Sequence, residues 1–83
     1  SDVYKRQVYT RINLIKANLA TTNKQREQFC LSAIKAISEA AKISQSVKIT
    51  YPLVQAYTCL NREDEISEIK TSLVKLGITN FQL

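Results

Sequence analysis

Two thiols and a run of acids are the groups in this chain that invite a chemical reading. Cys30 and Cys59 are its two cysteines, and Glu63, Asp64 and Glu65 follow Cys59 across one short turn. A reactive thiol needs a base or an electropositive niche to hold it as thiolate. Cys59 is followed by three carboxylates instead. The chain has no His and a single Gly, so it lacks the usual general base and any Gly-rich phosphate loop, and no metal-ligand spacing occurs. The expectation is a protein that is not an enzyme, with no catalytic, cofactor-binding or metal site. The two cysteines could form one bridge, but a pair embedded in helical patterns without short spacing is not a disulfide framework. They are expected as reduced thiols acting as small core hydrophobes.

The acids find a structural use. Near the start of a helix they meet the partial positive charge of its N-terminal end, worth roughly 0.3–1 kcal/mol for a well-placed carboxylate. The elements that would position them are helical throughout: one Gly and one Pro in 83 residues are too few for the reversals of a strand-and-turn protein. The net charge of +5 raises nucleic-acid binding, which needs clustered cations. Here Arg11, Lys16, Lys24, Arg26, Lys35, Lys42, Lys48, Arg62, Lys70 and Lys75 are interleaved with acids, as on solvated helix faces. No apolar run approaches the roughly 20 residues of a membrane span, and no signal-peptide pattern opens the chain. A soluble, cytoplasmic protein is expected.

The first seven residues, SDVYKRQ, stand apart. They are similar to the translation of a transposase mosaic-end adaptor from sequencing libraries, read as TCA GAT GTG TAT AAG AGA CAG. Residues 1–7 are therefore expected to be a non-native leader, with native sequence beginning at or near Val8 and truncated upstream. Without them the chain keeps ten basic and six acidic residues.

From Val8, the apolar positions Val8, Ile12, Ile15 and Leu19 recur at spacings of four, three and four, with Leu14 and Ala17 widening the face. The pattern predicts a first helix ending near Ala20 or Thr21. Thr22 is its successor's N-cap, with Gln25 as capping-box partner. The second helix, about Lys24 to Lys42, carries Cys30, Ala33, Ile34, Ile37 and Ala41, flanked by Phe29, Ala36 and Ala40. Its many alanines predict neighbours on two sides. Pro52 predicts a third helix starting at Thr50 or Tyr51, since proline is tolerated in a first turn. That helix runs through Leu53, Val54, Tyr57 and Leu60. Asn61 suits a left-handed C-terminal position or an N-cap. The fourth helix presents Ile66, Ile69, Leu73 and Leu76 until Gly77 stops it. A tail with Ile78, Phe81 and Leu83 either begins another element or covers an open end.

The predicted architecture is all-α: antiparallel helical hairpins over 8–43 and 49–77, stacked as a short superhelix of about four helices, with a tail over 78–83. LIKANLA (14–20) and LVQAYTC (53–59) align at an offset of 39 residues, within the period of helical-hairpin repeats.

The segment LVQAYTCLNREDEISEIKTSLVKL (53–76) resembles the core of a tetratricopeptide repeat, through Leu53, Ala56, Tyr57, Asn61, Asp64, Glu65 and Glu68. It departs from that pattern at Val54, Ile66 and Leu73, where small residues belong, and at Lys70, where a large apolar one belongs. It also lacks the proline after the second helix. The first hairpin matches only loosely. The resemblance implies a protein-interaction or scaffolding module, a C-terminal fragment of a larger helical-repeat protein. Its partners would be a protein or peptide and the neighbouring repeats. If the first and third helices line the concave side, Asn13, Lys16, Gln55 and Thr58 are the protein-binding candidates. The competing reading is a helix-turn-helix or winged-helix nucleic-acid module with Lys70 and Lys75 on its recognition helix. Glu65 and Glu68 on that helix weigh against it. A winged form would need a sheet across residues 48–57.

Overall fold

The start of α2, the end of α3 and the start of α4 each have a local chemical cause. In a computed structural model, which describes residues 2–44, 47–75 and 77, the chain forms α1 (Asp2–Leu19), α2 (Asn23–Ile43), α3 (Val47–Cys59) and α4 (Glu63–Lys75). No strand occurs among the described residues, and 48–57 are helical. The expected all-α, four-helix architecture is what the chain adopts. Residues 78–83, with the predicted tail, lie outside the described residues, as does Leu76.

Thr22 caps α2: its Oγ1 accepts from the Gln25 backbone N–H at 3.1 Å. The reciprocal half of the expected box is not made: the Gln25 side chain accepts instead from the Thr21 hydroxyl, at 3.2 Å. Asn61 takes the left-handed conformation, with φ of 62°. Around it Asn61 N–H donates to Thr58 O and Arg62 N–H to Tyr57 O, at 3.0 and 3.1 Å. This paired closure satisfies the last carbonyls of α3. Glu63, Asp64 and Glu65 then form the first turn of α4, where the helix dipole favours them.

Helix α3 departs from expectation: it begins at Val47, which places Pro52 inside the helix. A proline there has no N–H for the carbonyl four residues back. That carbonyl belongs to Lys48, and the Gln7 side chain of α1 donates to it at 3.3 Å. The early start also buries Ile49, 1% exposed, beside Ala33, Ile37, Ala40 and Ala56. Burying an isoleucine contributes roughly 1.5–3 kcal/mol, enough to offset most of the cost of an interior proline, about 3 kcal/mol.

The packing follows the hairpin order. Helix α1 touches α2 and α3, α2 touches α3, and α3 touches α4. As its alanines predict, α2 packs on two sides and buries Cys30, Ala33, Ala36, Ile37 and Ala40. A second cluster, Val54 with Ile66 and Leu73 and the half-buried Tyr57 and Ile69, joins α3 to α4.

The largest correction concerns α1. Val8, Ile12, Ile15 and Leu19, expected in the core, face solvent at 38%, 43%, 58% and 75% exposure. The buried residues are Thr10, Asn13 and Ala17, roughly half a turn around the helix. Small residues on α1 suit a close approach to the alanine face of α2, and Val3 and Leu14 pack beside them against the cluster of Ala33, Ile37 and Ala40. The two polar residues enter without cost to hydrogen bonding, because Thr10 Oγ1 donates to Arg6 O at 2.7 Å and Asn13 Nδ2 to Tyr9 O at 2.9 Å. No buried side-chain nitrogen or oxygen among the described residues lacks a partner.

This orientation separates two isoleucines that the sequence pattern treats alike. Ile37→Ala should destabilise the chain by about 2–5 kcal/mol, whereas Ile15→Ala should stay within about 0.5 kcal/mol of the parent. Denaturant unfolding measures both, and the opposite ranking would put α1 the other way round.

Candidate functional site

The place where the two hairpins meet is framed by the first helix of each. Leu14 and Asn18 of α1, Arg26 of α2, and Gln55, Thr58 and Cys59 of α3 line an open cleft of about 360 Å³. Leu14 supplies a half-buried apolar floor. Around it stand two carboxamides, a hydroxyl and a guanidinium. The Arg26 Nη1 donates to Cys59 O at 2.9 Å, which ties α2 to the end of α3 while the remaining guanidinium donors stay available to a ligand. The Thr58 hydroxyl donates to Val54 O at 2.8 Å and so offers its lone pairs outward.

A covalent bond fixes the floor of the cleft. Cys30 and Cys59 form a disulfide between α2 and α3, with Cα atoms 5.7 Å apart. The expected pair of reduced thiols is thereby corrected. Each cysteine sits in a helical pattern, and only the packing of the first turns of α2 on the end of α3 brings the two sulfurs together. Spacing along the chain holds no trace of that approach.

Of the four residues expected to bind protein, Gln55 and Thr58 line the cleft. Asn13 does not: it is 5% exposed and hydrogen-bonded within its own helix. Lys16 lies elsewhere on α1, exposed, its ammonium 5.8 Å from the centre of the Phe29 ring, a cation–π distance. Both misplacements follow from the rotation of α1. With the row from Val8 to Leu19 turned outward, Leu14 and Asn18 reach the cleft in place of Asn13 and Lys16. Arg26 was missed because nothing in a cation on the first turn of α2 marks it as the neighbour of Cys59.

A second opening of about 450 Å³ lies between α1 and α2, lined by Lys5, Arg6, Tyr9, Ser32, Lys35 and Ala36. Of its three cations, Arg6 is engaged with Asp2 at 3.1 Å. The cleft between the hairpins is taken as the candidate because residues of three helices, α1, α2 and α3, converge on it.

Among the described residues no group of three or more His, Cys, Asp or Glu side chains could hold a metal ion. None of their helices is long and apolar enough to cross a membrane. On α4, where a recognition helix was the competing expectation, Lys70 and Lys75 share the surface with Glu63, Asp64 and Glu68. No protein-family profile, curated protein or solved structure matches the chain.

The disulfide closes a loop of 29 residues, for which chain entropy gives roughly 3–4 kcal/mol of stabilisation. Reduction, or the double substitution Cys30→Ala with Cys59→Ala, should lower the melting temperature by roughly 12–30 °C. Thermal melts with and without reductant measure this, and coincident curves would show that the bond does not form in solution.

Proposed function

We propose that the chain is a non-catalytic protein-interaction module that holds a short peptide segment of a partner in the cleft between its hairpins. The observation that carries this reading is the uncommitted polar lining of that cleft: Asn18 and Gln55 from the first helices of the two hairpins, beside Arg26 and Thr58. Carboxamides donate and accept at once, the pattern that pairs with an extended peptide backbone. A guanidinium adds a preference for a carboxylate on the peptide. The disulfide contributes by fixing α2 against α3, so that the lining does not have to be ordered when the peptide arrives.

The tetratricopeptide-like reading is supported by the contacts of α3 with both helices of the preceding hairpin, the arrangement from which a superhelix of repeats is built. On this reading the chain is part of a longer scaffold whose neighbouring repeats continue the stack. The Cys30–Cys59 bond favours an oxidising compartment over the expected cytoplasmic one, because disulfides are rare where thiols are kept reduced.

Nuclear magnetic resonance titration of the isotope-labelled chain with short acidic and neutral peptides tests the reading. Shift changes should centre on Leu14, Asn18, Arg26, Gln55 and Thr58. Asn18→Ala and Gln55→Ala should each weaken binding about twofold to tenfold, the worth of one hydrogen bond. Peptides that leave the cleft unmoved and shift α4 alone would overturn it.

A further inference from the structure

The outward face of α1 is a second surface, separate from the cleft. Val8, Ile12, Ile15 and Leu19 all lie beyond the first seven residues and are exposed at 38–75%. Their spacing of four, three and four is that of the d, a, d and a positions of a heptad seam, running about 17 Å along the helix. A seam this narrow is the shape one helix presents to another, whereas a helix resting in a lipid surface needs a broader apolar face. Arg11 and Lys16 occupy the g and e positions on its two sides, where partner choice is set. They are the only charged residues between Val8 and Leu19.

That charge pattern selects the occupant. A second copy packing α1 on α1 would set cations against cations along both flanks, in either orientation. The acid-rich helix of a second copy is no better suited. In α4, Ile66 and Leu73 are buried and Val74 is its sole large exposed hydrophobic residue among those described, so it has no seam to offer. We propose that the α1 seam docks an amphipathic helix of a partner protein, one whose apolar row is flanked by Asp or Glu facing Arg11 and Lys16.

The test uses two labelled synthetic helical peptides with the same Leu and Ile seam, one with Glu and one with Lys at the flanking positions. Fluorescence anisotropy with the intact chain should show the Glu peptide binding at least about tenfold more tightly at low ionic strength. The preference should shrink in about 1 M salt, where screening falls to about 3 Å. Ile15→Glu should abolish binding while leaving the circular dichroism spectrum unchanged. The charge reversal Arg11→Glu with Lys16→Glu should transfer the preference to the Lys peptide, a result that no loss of folding could imitate. Equal binding of both peptides, or of neither, overturns the proposal. It is likewise overturned by a dimer of the chain alone that Ile15→Glu dissolves, or by Ile15-dependent binding to vesicles of phosphatidylserine and phosphatidylcholine in the absence of peptide binding.

Discussion

The close approach that α2 permits on two of its sides is the constraint from which the rest of the structure follows. Ala33, Ala36 and Ala40 keep that helix thin, so α1 and α3 can both lie against it, and Ile37 fills the space that remains beside Ile49. On the α3 side the space is filled by Ile49 and Leu53, and on the α1 side Val3 and Leu14 reach the same cluster beside small residues. Thr10, Asn13 and Ala17 form the buried side of α1, although all but the last are polar. Hydrogen bonds within the helix make their burial affordable.

Two surface features come from this packing. Because α3 packs on both helices of the first hairpin, α1 and α3 end up side by side with a cleft between them, and the disulfide holds that spacing from beneath. Because α1 is turned with its small residues inward, its branched residues are left in water. The cleft and the outward row are thus two results of one packing choice. The second hairpin is built differently. Among the described residues helix α4 touches only α3, through Val54, Ile66 and Leu73, and it exposes acids and hydroxyls together with Val74 and Lys75.

Much of the fold was legible in the sequence. Thr22 and Gln25, the left-handed Asn61, the acids that open α4 and the positive φ of Gly77 all mark helix ends through local chemistry, which sequence records directly. Periodicity made the buried rows legible in part: Cys30, Ala33 and Ile37 of α2 and Ile66 and Leu73 of α4 are buried, while Ile34, Ala41 and Ile69 are half-buried. The rotation of α1 was not legible: periodicity tells which side chains share a face, but the fit against α2 and α3 decides which face turns inward. Pro52 misled because the carbonyl it leaves unpaired meets Gln7, 41 positions away from Lys48. The disulfide and the Arg26 contact with Cys59 are likewise products of tertiary approach. Of the six residues that line the cleft, Gln55 and Thr58 were among the sequence candidates, whereas Leu14 and Asn18 reach it through the rotation of α1.

The most direct check on this account is a methyl-resolved nuclear Overhauser experiment on the oxidised chain. The account predicts cross-peaks from the Ile49 methyl groups to those of Ala33, Ile37 or Ala40, and none from Ile12, Ile15 or Leu19 to any residue of α2 or α3. Cross-peaks joining Ile12 or Ile15 to the alanines of α2 would contradict it.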